Sequence, residues 1–108
     1  MAKTPSNASR DKVRDVVPKL IEMTEKVVYG DVWERKQLSK RDRSLITVAA
    51  LVAMNRTEQL KGHTQRALDN GVTKEEISEV ITHMALYSGW PCAMSAALVA
   101  KEVFEQNT

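Results

Sequence analysis

The sequence predicts an all-α fold of about five to six helices. Three observations carry that expectation. Apolar residues recur at three- and four-residue spacing. Caps and stops separate the periodic segments. No run of alternating β-branched residues bounded by turns appears. The 108 residues, 43% hydrophobic and 28% charged, are too apolar and too mixed in charge for a disordered chain. Residues 11–108 are expected to form one helical domain after a flexible segment, residues 1–10.

The first periodic segment runs from about Asp11 to Tyr29. Val13, Val16, Val17, Leu20, Ile21, Met23, Val27 and Val28 share its apolar spacing. Pro18 predicts a kink or a late helix start there, and Gly30-Asp31 a stop. Ser39 is placed to cap the second helix, with Asp42 near its positive end. From Leu45 to Met54 this helix carries no charge at all. A helix apolar on every side must be covered on every side. Burial between subunits is therefore expected, the alternative being a central core helix of a monomer.

Thr57 is expected to cap the third helix, and Asn70-Gly71 to end it. Thr73 with Glu76 three residues on forms a capping box for the fourth. That helix carries Ile77, Val80, Ile81, Met84 and Ala85 on one face. Gly89 ends it, and Pro91 starts the last helix in the first turn. There Ala93, Ala96, Ala97 and Ala100 allow close approach, while Met94, Leu98, Val103 and Phe104 supply bulk.

Charge and cysteine count narrow the function classes. Net charge is +2, with 11 positive and 7 negative residues before Leu45 and 5 and 7 after. The halves thus carry +4 and −2. The basic cluster Arg35, Lys36, Lys40, Arg41 and Arg43 is diluted by Glu34 and Asp42, so no nucleic-acid partner is expected. No apolar run is long enough to span a bilayer, and the polar start lacks a signal-peptide core. A single cysteine excludes an internal disulfide or a two-thiol centre within one chain and favours the cytoplasm. With two histidines besides, no metal site is expected.

Both histidines fall in helices. His63 follows Gln59 by four residues and Arg56 by seven, so the three share one side of the third helix, flanking Leu60, Thr64 and Ala67. There it can exchange protons near neutral pH, or rest on a backbone carbonyl as a core histidine. His83 precedes Tyr87 by one turn and lines either a pocket wall or ordinary surface. Trp90 can roof a pocket or plug a helix junction, and Trp33 with Tyr29 reads as packing. Cys92 falls in a helix's first turn, where a thiol is reactive, or is a small buried hydrophobe.

Several segments, in order, resemble the carboxymuconolactone decarboxylase family. They are Tyr29 to Trp33 (YGDVW), Leu38 to Leu51 (LSKRDRSLITVAAL), His63 to Thr73 (HTQRALDNGVT) and Glu79 to Pro91 (EVITHMALYSGWP). The resemblance covers about Tyr29 to Phe104. It implies the all-α fold shared with alkyl hydroperoxidase D and assembly as homo-oligomers, trimers or hexamers.

The superfamily holds two chemistries. The peroxidase branch uses a Glu, a CxxC pair and a His four residues past the second Cys. His63 fits that histidine, but the cysteine positions fall on Arg56 and Gln59, and the glutamate about on Ser44. The dithiol mechanism of peroxiredoxin-like activity is thus missing its thiols. The decarboxylase branch implies a lyase without metal or organic cofactor, acting on a small carboxylated lactone. Such a site stabilises delocalised charge with fixed donors and then protonates carbon. By that resemblance His63 carries the proton and Arg56, Arg41 or Arg43 holds a carboxylate. His83 and Tyr87 supply a second donor, Gln59 lies beside the substrate, and Trp90 excludes water. A peroxide reductase working through Cys92 and a non-catalytic oligomeric ligand-binding module are the competing readings.

Overall fold

The computed structural model describes residues 8–108, which form six α-helices with no strand among them. Seven positions of the expected flexible segment lie outside the described residues, and its last three open a helix. The chain divides into two compact units, one ending at Lys40 and the other running Arg41–Thr108.

In the first unit, α1 (Ala8–Val13) and α2 (Pro18–Met23) are separate helices. Pro18 sits at the start of α2, where its missing N–H costs no hydrogen bond. α2 runs on as a π-helical segment, Thr24–Tyr29, and a 3₁₀ turn follows at Val32–Glu34. At the change of pitch the Thr24 hydroxyl donates to the Leu20 carbonyl at 2.8 Å, a bond that bends helices. The Arg14 guanidinium grips both Glu25 oxygens at 2.9 and 2.8 Å and Asp11 at 2.9 Å. That grip holds the Glu25 carboxyl below the usual carboxylate range. Gly30 closes the segment, because a Cβ there would stand 2.7 Å from the carbonyl oxygens of both Glu25 and Lys26. Tyr29 and Trp33 stack at 5.8 Å, with the Arg10 guanidinium 5.1 Å over the tyrosine ring.

The second unit holds α3 (Lys40–Ala53), α4 (Thr57–Asp69), α5 (Lys74–Ser88) and α6 (Trp90–Glu105). α6 packs along both α4 and α5. Val48 and Val52 of α3, Leu60 and Ala67 of α4, Ile77 and Ile81 of α5, and Ala93, Ala96 and Ala100 of α6 build one core. The alanines of α6 let its neighbours come close, as their spacing predicts.

Two helix ends explain themselves. After α3, Asn55 takes a left-handed φ of 57°. The Asn55 and Arg56 N–H groups then turn back onto the Val52 and Leu51 carbonyls. After α4, Gly71 (φ 97°) and Val72 repeat the pattern on Leu68 and Ala67, with Val72 buried. The first of these corrects the expected cap. Arg56 both ends the turn after α3 and stands at the N-cap of α4, so Thr57 is already helical and caps nothing. Thr73 and Glu76 form the expected reciprocal box, each bond 3.0 Å.

The apolar bulk of α6 is split. Val103 is buried, but Met94 and Leu98 are exposed and continue a stripe from Trp90 at four-residue intervals. α3 is likewise open on one side, with Ile46 57% exposed.

Candidate functional site

His63 stands on the flank of α4, half-buried beside the fully buried stripe of Leu60, Thr64 and Ala67. Its Nδ1 is shut off from solvent. One turn later Arg66 is also half-buried, and its Nη1 is shut off as well. Burial first, and the Arg66 cation second, push the imidazole from 6.5 down to about 4. His63 is therefore a neutral imidazole at physiological pH.

His83 occupies different ground. It is exposed on α5 and stacks on Tyr87 with ring centroids 4.8 Å apart, as the four-residue spacing predicts. It lines a groove of about 450 Å³ between α3 and α5, floored by Ile46, Ala49 and Met84. Glu76 and Glu79 line the same groove, and no arginine or lysine does. His63 is not among its lining residues. A second groove, about 410 Å³ between α5 and α6, is lined by none of the candidate residues.

The remaining candidates separate. The Arg41 guanidinium pairs with Glu76 and lies 3.4 Å from Asp42. The Thr73 backbone N–H and then Arg41 hold the Glu76 carboxyl low. Arg43 is half-buried near the start of α3, and its carbonyl accepts the Thr47 hydroxyl at 2.7 Å. Arg56 and Gln59 are exposed at the start of α4. Tyr87 is 76% and Trp90 65% exposed. Cys92 sits in the first turn of α6, its Sγ 4.0 Å from the Ala53 carbonyl.

Arg66 is the residue that sequence reading passed over. The signal was there: three residues from His63 on a helix is contact spacing. So was the acidic face of α5, where Glu76, Glu79 and His83 recur at helical intervals. Ser44, at the position about where the peroxidase glutamate falls, is fully buried and accepts from the Asn70 amide at 3.0 Å. It pins α3 to the end of α4. Among the described residues no group of His, Cys, Asp and Glu is placed to hold a metal ion, and no helix is long and apolar enough to cross a membrane.

Three relatives share this arrangement of sequence. The chain is 36% identical over 99 residues to a 4-carboxymuconolactone decarboxylase of Acinetobacter baylyi, covering 92% of this chain and 74% of that one. It is 36% identical over 74 residues to the nitrosuccinic acid decarboxylase npaB of Metarhizium robertsii, 68% of this chain and 52% of that one. It is 30% identical over 81 residues to an uncharacterized 15.0 kDa protein in the nqo9-nqo10 intergenic region of Paracoccus denitrificans, covering 73% and 60%. The model of the carboxymuconolactone decarboxylase family matches residues 18–102, from the proline that opens α2 to the last turns of α6. With that match spanning most of the chain, the protein belongs to the carboxymuconolactone decarboxylase family.

Proposed function

We propose that the protein is a carboxy-lyase working without a cofactor, in which His63 moves the proton. Its substrate is a small acid whose departing carboxylate stands beside an electron-withdrawing group, such as the carbonyl of a carboxylated lactone. The C–CO2 bond breaks, its electron pair delocalises into that group, and CO2 leaves. The carbon then takes a proton that comes ultimately from solvent. An anion settling beside His63 favours the imidazolium form, which is the proton donor this last step needs.

What carries the reading is the half-buried imidazole next to a guanidinium on α4. Two relatives named as decarboxylases, one for a carboxylated lactone and one for a nitro-dicarboxylic acid, support it. The groove at His83 is a poorer seat for the same substrate. Its two carboxylates repel a polyanion, and Arg41 is already committed to Glu76. In this reading His83 and Tyr87 are a secondary donor pair, with Arg56, Gln59 and Arg43 as outlying contacts and Trp90 as a water-excluding cover. The open faces of α3 and α6 support a homo-oligomer, trimer or hexamer, and the free thiol of Cys92 suits the reducing cytoplasm.

The test is turnover of 4-carboxymuconolactone and of nitrosuccinate, followed by CO2 release. His63→Ala is expected to lower kcat at least about tenfold, the low end for a lost acid–base group. Unchanged kcat in a folded variant would remove His63 from the reaction.

A further inference from the structure

His63 and Arg66 stand about one turn apart on α4, and Arg66 has a second use. Arg66 stands in the last turn of α4, where a cation also complements the helix dipole. That ordinary role needs only an exposed charge. Arg66 is instead half-buried with Nη1 closed to solvent, beside an imidazole whose Nδ1 is closed too. A guanidinium has five N–H donors, so it can rest one edge on the protein and offer another to a ligand. Neither residue is fully buried.

Distance along the helix decides between the arginines. Arg66 is three residues from His63, about 4.5 Å along the axis and on the same face. Arg56 is seven residues away, about 10 Å along the axis, at the N-cap rather than in a helical turn. One carboxylate can touch His63 and Arg66 together. Only an extended diacid spans His63 and Arg56.

We infer that Arg66 is the residue that selects for an anionic substrate, receiving a carboxylate on its guanidinium beside His63. This rests on the reading of His63 as the site of chemistry. It adds the group that chooses what reaches the site. It also gives the anion a job, because a carboxylate beside His63 offsets the Arg66 charge, the second of the two causes that keep the imidazole neutral.

The test uses the intact protein, with succinate as probe and chloride at matched ionic strength as control. The ring signals of His63 are followed by NMR at one pH near 7.5, with exposed His83 as internal reference. Succinate is expected to move the His63 signals saturably and leave those of His83 in place. Arg66→Gln should abolish the shift. Arg66→Lys, which keeps the charge but not the planar fork, should retain it at about tenfold weaker affinity or less. In turnover, Arg66→Gln should raise KM at least about tenfold, with a smaller fall in kcat. No saturable shift in the wild type, or an equal shift in folded Arg66→Gln, overturns the inference. If His63→Ala keeps full turnover while the succinate shift stands, the anion site survives and the proposed chemistry fails.

Discussion

An imidazole buried beside a guanidinium resists protonation, and the fold must then lose stability where the unfolded chain protonates freely. His63 titrates near 6.5 when unfolded and near 4 when folded. Between those values the unfolded state binds more protons, so stability falls as pH drops through that window and is full above it. The carboxylates held low by partners, Glu25 and Glu76, have ordinary values of 4.5 and contribute only as pH falls below about that point. The span from about 6.5 to 4.5 is thus mainly the imidazole's own. Allowing for its partial exposure, the loss there is about 1–2 kcal/mol. Unfolding free energies from urea titrations at pH 7.5 and 5 should differ by that amount in the wild type and by much less in His63→Gln. An equal drop in both would mean the imidazole is not the group responsible. The place of His63 was legible because its spacing puts it on the edge of an apolar stripe. Its neighbour Arg66 was legible only as contact spacing, because its importance lies in burial, and spacing alone makes every i,i+3 charge look alike.

At the scale of elements, caps and breakers were readable wherever the signal was chemical and local. Thr73 with Glu76 names its own hydrogen bonds, and of the kink or late start that Pro18 predicts the structure shows the late start. Thr57 misled because a hydroxyl before an apolar run looks like a cap, while the tight turn after α3 had already used Arg56 for that position. The two threonines give a direct comparison. Thr73→Ala should cost about 1 kcal/mol and lower Tm by several degrees. Thr57→Ala should stay within about 0.5 kcal/mol, as substitutions away from caps do. Equal losses in thermal melts would restore Thr57 as a cap. The π-helical widening over Thr24–Tyr29 had no sequence signature of its own. It follows from one extra residue per turn closing against Gly30, whose missing Cβ leaves room for two carbonyl oxygens.

For the molecule as a whole, the absence of charge from Leu45 to Met54 was the plainest feature of the sequence, and one chain does not resolve it. Val48 and Val52 are buried within the second unit, yet Ile46 of the same helix and Met54 just past its end are more than half exposed. α6 repeats the contradiction, with Trp90, Met94 and Leu98 in one exposed stripe and Leu86 of α5 also open. Single exposed leucines are ordinary, but a row of large apolar side chains at four-residue spacing along α6 is of the kind that marks an interface. A second copy is the occupant that the family's oligomeric habit, implied by the sequence resemblance, suggests. A stable contact needs about 800 Å² from each partner, so loss of two central side chains should break it. Sedimentation at micromolar concentration is expected to give several times the chain mass of 12.1 kDa. Met94→Glu with Leu98→Glu should bring the mass down toward that of a smaller assembly without unfolding the helices, since neither side chain belongs to the buried core. A wild type that sediments as a single chain would leave the uncharged helix without a covering partner, and the exposed stripe would then be sought in ligand or membrane-surface contact instead.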